Sequence, residues 1–297
     1  MTASQIPLVL ENAWLRVEVL PCVGGKVAQI LDFCSGKKLL VPPQKRYATI
    51  PLGAFWTDYD ISGMDDCFPN VALCPYPARP WVGTPLPDHG EWVYGAWDVE
   101  KATKREIHMR RVGTSLLYGA RKTILLSGNT LEFKYEVQNA ADAPLIYLWA
   151  AHPMLVVDES GYVLTLPRET LSFRTFPGGA QGKWPFFESL DLSREWIPPG
   201  QTLKLFIENL TEPWCELRVA DCVLTFAFDL VTTPKLGIWF NHFGFPEPSR
   251  KPLRCIAIEP CTSASDRLDD LTPQNYPKIA AGKAVSWSMT MKVESPQ

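Results

Sequence analysis

Histidine is scarce in this sequence: four among 297 residues, at His89, His108, His152 and His242. Cysteine is present eight times, yet no C-x-x-C pair occurs and no histidine stands at zinc-ligand spacing from a cysteine. Zinc-ribbon and finger arrangements are thereby excluded, and no metal is expected. A basic stripe is also missing. Lysine and arginine number 29 against 32 acids, scattered along the chain, for a net charge of −3. Such a surface does not neutralise phosphates, so nucleic acid is not an expected partner. No apolar run is long enough for a membrane span: the most apolar stretch, LIYLWAAHPMLVVD (145–158), is broken by His152-Pro153. The start, MTASQIPLVLEN, lacks the basic and apolar segments of a secretory signal. The thiols are therefore read as free, acting as small hydrophobes in a cytoplasmic protein. P-loop, nucleotide-binding and paired-carboxylate signatures are absent as well. No fixed-period repeat or linker-like change of composition divides the chain, so residues 1–297 are expected to form one domain.

What is abundant is period-two alternation. In TLEFKYEV (130–137) the apolar set is Leu131, Phe133, Tyr135 and Val137; in AVSWSMTMKV (284–293) it is Val285, Trp287, Met289, Met291 and Val293. WLRVEVLP (14–21), LRVAD (217–221) and VLTFAFDL (223–230) read as further strands. Turn signals such as SGNT, AADAP and PPGQ fall between them. The 27 prolines disfavour long helices, and only SREW and SASDRLDDL suggest a helical turn. The expected fold is all-β, a large antiparallel sandwich or barrel with very little helix. One long irregular region, from about Pro42 to Trp92, holds GMDDCFPN (63–70) and LPDHGEW (86–92). A loop of that length in a compact domain is usually functional.

Three places join an ionisable residue to a constrained backbone: His152-Pro153, Glu259-Pro260 in IAIEPCT (256–262), and His89 in PDHGEW. Proline removes a ladder donor and holds its predecessor extended, so His152 and Glu259 are expected where a strand stops pairing normally. Parity puts Cys255, Ala257 and Glu259 on one face, with the bulkier Ile256 and Ile258 on the other. The face with small side chains leaves room for a ligand or for a closely packed sheet. Each residue also has a structural reading. His152 is a core histidine bonded to a carbonyl, and Glu259 is paired with Arg254 or Lys251. His89, Asp65 and Asp66 are turn residues, and WFNHFGFP (239–246) is core.

In order along the chain, VGGKVAQILDFCSGKKLL (23–40), LPDHGEW, NTLEFKYEVQN (129–139), LWAAHPM and IAIEPCT resemble the aldose 1-epimerase, or galactose mutarotase-like, superfamily. The resemblance covers nearly the whole chain. It implies a galactose mutarotase-like sandwich with a sugar-binding cleft on one sheet. The implied activity is that of an isomerase exchanging the anomers of an aldose by acid–base ring opening. It needs no cofactor. By resemblance His152 falls at the acid, Glu259 at the base and His89 at the second, substrate-holding histidine. GMDDCFPN lacks the arginine found in the family's corresponding region, and Arg79 is the nearest. Asp65 or Asp66 is then expected to bind sugar hydroxyls, carboxylates being double acceptors. Met154 and Leu155 replace the aromatic and asparagine that usually follow the acid. Asn241 and Trp239 in WFNHF are the remaining candidates for substrate contacts. A small carbohydrate is the expected partner, and edge strands leave a homodimer open. Two alternatives use the same fold: a carbohydrate-binding protein without turnover, and another sugar-active enzyme such as a lyase or hydrolase.

Overall fold

The structure, a computed structural model, describes residues 6–167, 171–246 and 252–295. Among these, a twelve-stranded and an eight-stranded sheet dominate, every ladder antiparallel. Alternation decides which side chains meet between the sheets. Leu131, Phe133 and Tyr135 of Thr130–Asn139 and Met289 and Met291 of Ala284–Glu294 point inward from the smaller sheet. Ile256 and Ile258, Leu155, Ile238 and Leu205 point inward from the larger one. The sandwich expected from the sequence is the fold observed.

The strands that carry the ionisable residues are neighbours in the larger sheet. Its central order runs Lys26–Asp32, Met64–Cys67, Ala150–Val156, Arg254–Cys261, Lys235–His242, Gln201–Ile207. None of the alternation in the sequence marks Met64–Cys67, which lies inside the region read as irregular. Helix is confined, among the described residues, to short 3₁₀ turns at Trp56–Asp58, Glu91–Val93 and Leu268–Asp270. The last lies in SASDRLDDL as expected, whereas SREW is a turn. No helix among the described residues is long and apolar enough to cross a membrane.

The two prolines disturb pairing as expected, yet they do not end their strands. Neither strand ends at its proline: Ala150–Val156 runs through Pro153 and Arg254–Cys261 through Pro260. Only the ladder between them is interrupted, resuming at Met154↔Ala257 after Ala150↔Cys261. Each proline lacks the amide that the missing rungs need. The outer neighbours, Met64–Cys67 and Lys235–His242, keep both strands in the sheet.

Candidate functional site

The register builds a row across the outer face of the larger sheet. Asp65 pairs with His152, His152 stands across the interrupted ladder from Glu259, and Glu259 pairs with Gly237. Directly opposed residues share a face. His152 Nε2 lies 3.7 Å from Glu259 Oε1. Small side chains flank the pair, Ala257 on one strand and Ala150 on the other, as the parity of IAIEP implied. Gly237 gives the carboxylate its space. A Cβ there would stand 3.2 Å from both Glu259 Cβ and Oε2, and 3.4 Å from Phe206.

His89 reaches the row from a loop. Its backbone has φ +62°, and Gly90 follows at φ +69°, where a Cβ would collide with the Phe68 carbonyl at 2.3 Å. Only glycine fits that step. The imidazole stacks on Trp56 at 3.7 Å between ring centroids and meets His152 edge-on at 5.1 Å. Trp239, half-buried, tilts over His152 at 5.8 Å.

Burial and charge separate the two histidines. His152 is 6 % exposed, and burial pushes its pKa well below the ordinary value. The positive charges of His89 and Lys204 add to that, with Asp65 opposing. The imidazole is therefore neutral near pH 7, and its Nδ1 has no hydrogen-bond partner among the described residues. Burial disfavours a charge on His89 too. Asp88, whose Oδ2 is 3.1 Å from Nδ1, outweighs it and raises the pKa.

Glu259 is 0 % exposed. Lys204 Nζ sits 2.7 Å from its Oε2, an ion pair lying off the best hydrogen-bonding direction of the carboxylate, and 2.7 Å from Asp266 Oδ1. Burial works against the ammonium, but Asp266 and then Glu259 more than compensate and raise its pKa. Burial, followed by repulsion from Glu259, raises that of Asp266 against the pull of Lys204. Lys204, Asp266 and Trp239 line a cavity of about 390 Å³ together with Phe176 and Phe187. A larger cleft of about 800 Å³ adjoins it across Thr175, Phe176 and Pro177.

No family model matches the sequence, and no curated protein matches it. Solved structures do. The Slr1438 protein from Synechocystis sp. PCC 6803 is similar with a TM-score of 0.76 at 14% identity, covering 99% of this chain and 98% of its own. A galactose mutarotase related enzyme from Lactobacillus acidophilus follows, with TM-score 0.73, 15% identity and 98% of each chain. A galactose mutarotase-like protein from Lactobacillus casei ATCC 334 is similar with TM-score 0.70 and 16% identity, over 97% of this chain and 100% of that one. This is the galactose mutarotase-like fold. At these identities the likeness establishes the architecture, and the chemistry rests on the side chains.

On this galactose mutarotase-like sheet, His89, His152, Glu259, Asp65 and Trp239 come together. Asp65 is anchored through Oδ2 by Lys26 at 2.7 Å, while Oδ1 is buried without a hydrogen-bond partner among the described residues. Two sequence candidates are not brought there. Asp66 points between the sheets, where Lys122 and the Tyr135 hydroxyl occupy its two oxygens. Asn241 is spent on its own hairpin: its amide donates to the Phe245 carbonyl and its oxygen accepts from the Gly244 and Phe245 amides. The partner of Glu259 is Lys204; Arg254 instead donates to the Val157 carbonyl, and Lys251 lies outside the described residues. Lys204, Asp266 and Trp56 were not singled out in the sequence. A faint signal existed for Lys204, since period two places it beside Thr202 and Phe206 on one face of TLKLFI.

Proposed function

We propose that the protein is a cofactor-independent sugar epimerase that exchanges the anomers of an aldose or aldose derivative. His152 serves as acid and Glu259 as base. The observation that carries this reading is the 3.7 Å approach of His152 Nε2 to Glu259 Oε1 in one row of the sheet. Two groups that close cannot flank a sugar ring from opposite sides. They suit the two oxygens bonded to one anomeric carbon, each group within roughly 2.6–3.2 Å of its own oxygen. Glu259 takes the hydroxyl proton, the bond from the anomeric carbon to the ring oxygen breaks, and His152 protonates that oxygen. The aldehyde rotates, and the reverse transfers close the ring on its other face, returning both groups to their starting states. Asp65 Oδ1 and His89 hold neighbouring hydroxyls, and Trp239 offers a face for the ring.

The productive state carries one proton on His152. Its depressed pKa makes that state a minority near neutrality, so the rate falls as pH rises above that pKa. One observation favours the binding-only alternative: Glu259 is fully buried behind Lys204. Polarimetry on freshly dissolved single anomers of a panel of aldoses separates the two. Accelerated equilibration is expected for at least one sugar, falling by about 10²–10⁴-fold in E259Q and in H152N. Equal rates in both variants and the parent refute these roles. Binding without any acceleration across the panel establishes the carbohydrate-binding alternative.

A further inference from the structure

A buried carboxylate without a counter-charge holds its proton and cannot serve as a base. Glu259 is fully buried, and the one cation within ion-pair reach of its Oε2, among the described residues, is Lys204 at 2.7 Å. The ammonium comes from the far side of Gly237. Lys204 pairs with Trp239, one row along from Gly237↔Phe206, and the carboxylate crosses the gap left by the missing Cβ to meet it. Its charge also lies 5.2 Å from the Phe206 ring centroid. Neutralising one glutamate needs one lysine and nothing else. Yet Asp266 stands at the same 2.7 Å from the same nitrogen, buried, so two carboxylates share one ammonium. Asp266 is not placed by chance of a mobile side chain. Its backbone carbonyl accepts from the Val71 and Ala72 amides, and the Val71 carbonyl accepts from the His89 amide.

We infer that Lys204 and Asp266 act together as a positioning pair for Glu259. The ammonium anchors Oε2 and leaves Oε1 facing His152 and the substrate, while Asp266 shares the ammonium and limits how firmly it holds the base. The inference deepens the epimerase reading and takes the role of Glu259 from it. The other titratable groups around the pair are His152, 3.7 Å from Glu259 Oε1, Cys67 and Cys261, which feel the Glu259 charge, and His89, whose positive charge acts on Asp266. None of these is a cation in its ordinary state beside Oε2.

The pair has a signature that a merely structural role lacks: its two members move Glu259 in opposite directions. Full-length protein labelled at the glutamate δ-carbon, with Glu259 assigned by its loss in E259Q, reports the carboxyl directly through its ¹³C shift against pH. K204M should raise the Glu259 midpoint by about 1–3 units, and D266N should lower it, since the lysine then serves Glu259 alone. The acid limb of the pH–rate profile for anomer equilibration should move with each midpoint. Midpoints that stay put in both variants, or move the same way, overturn the inference. If K204M fails to fold, D266N decides alone: a lower midpoint supports the pair, and an unchanged or higher one overturns it. Opposed shifts with no sugar equilibrated by the parent sustain the pair and refute the epimerase reading. Equilibration with unmoved midpoints does the reverse.

Discussion

Lys122 and Asp66 form a buried ion pair across the two sheets, both nearly inaccessible, and removing one charge tests how much that bridge stabilises the sandwich. In K122M, Asp66 keeps only the Tyr135 hydroxyl, 2.7 Å from Oδ1, and the Gly25 carbonyl loses its 3.0 Å donor. Asp66 must then stay charged in an apolar layer or take up a proton. Breaking a buried pair from one side typically costs about 3–5 kcal/mol, a large share of the roughly 5–15 kcal/mol that holds a domain folded. With a urea slope near 3 kcal/mol/M, the unfolding midpoint should fall by about 1–1.7 M. Tryptophan fluorescence reads the transition well, because Trp92, Trp149 and Trp287 lie in the same aromatic cluster as Tyr135. The triple variant K122M/D66L/Y135F removes charges and hydroxyl together and should recover most of the loss. A midpoint for K122M within about 0.3 M of the parent would mean that the pair contributes less than about 1 kcal/mol, against a buried charge left unpaired.

Three further outcomes follow from the site and its supports. Gly237→Ala pushes the Glu259 carboxylate from its place, since the added Cβ has 3.2 Å to Oε2; equilibration by polarimetry should drop up to about 10²-fold with little change in urea midpoint. Asn241→Ala removes three hydrogen bonds within one hairpin and should cost about 1–3 kcal/mol in urea unfolding while leaving sugar turnover in place. His152 gives a pH signature in stability. Below the unfolded value near 6.5, the unfolded chain gains a proton that the folded chain refuses, so stability falls as pH drops toward the depressed folded pKa. His89, with a raised pKa, contributes the opposite slope, its stabilisation being lost as pH rises through that higher value. Urea midpoints measured between pH 5 and 8 should therefore lose less stability on acidification in H152N than in the parent.

The long strands were legible because each has enough residues for alternation to declare itself. Thr130–Asn139 and Ala284–Glu294 put every second side chain into the core, as their patterns implied. Met64–Cys67 was not, since four residues with two consecutive acids read as a turn. Both acids are buried, and the lysines that make this tolerable lie 39 and 56 residues away in the chain, which no local pattern reveals. His152, Glu259 and His89 were legible through proline, glycine and order along the chain. The meaning of proline was not fully read: it interrupts a ladder, while the strands on either side carry the sheet onward. Lys204 escaped because a lysine between leucines in a strand usually points to water. Its two carboxylate partners become visible only when three strands and a following loop are side by side.

The tetrapeptide Met64–Cys67 also has a consequence for how the sheet assembles. Asp65 meets Lys26, both buried, on the outer face of the larger sheet, and Asp66 meets Lys122 between the two sheets. Sliding this strand by one residue in either direction would turn every side chain to the opposite face. One slip would bring Asp66 to the outer face but set Cys67 against Lys122; the other would send Asp65 inward and set Met64 against Lys26. Only one registration satisfies both lysines at once. The two ion pairs therefore proofread the position of the central strand, and with it the alignment of Asp65 beside His152.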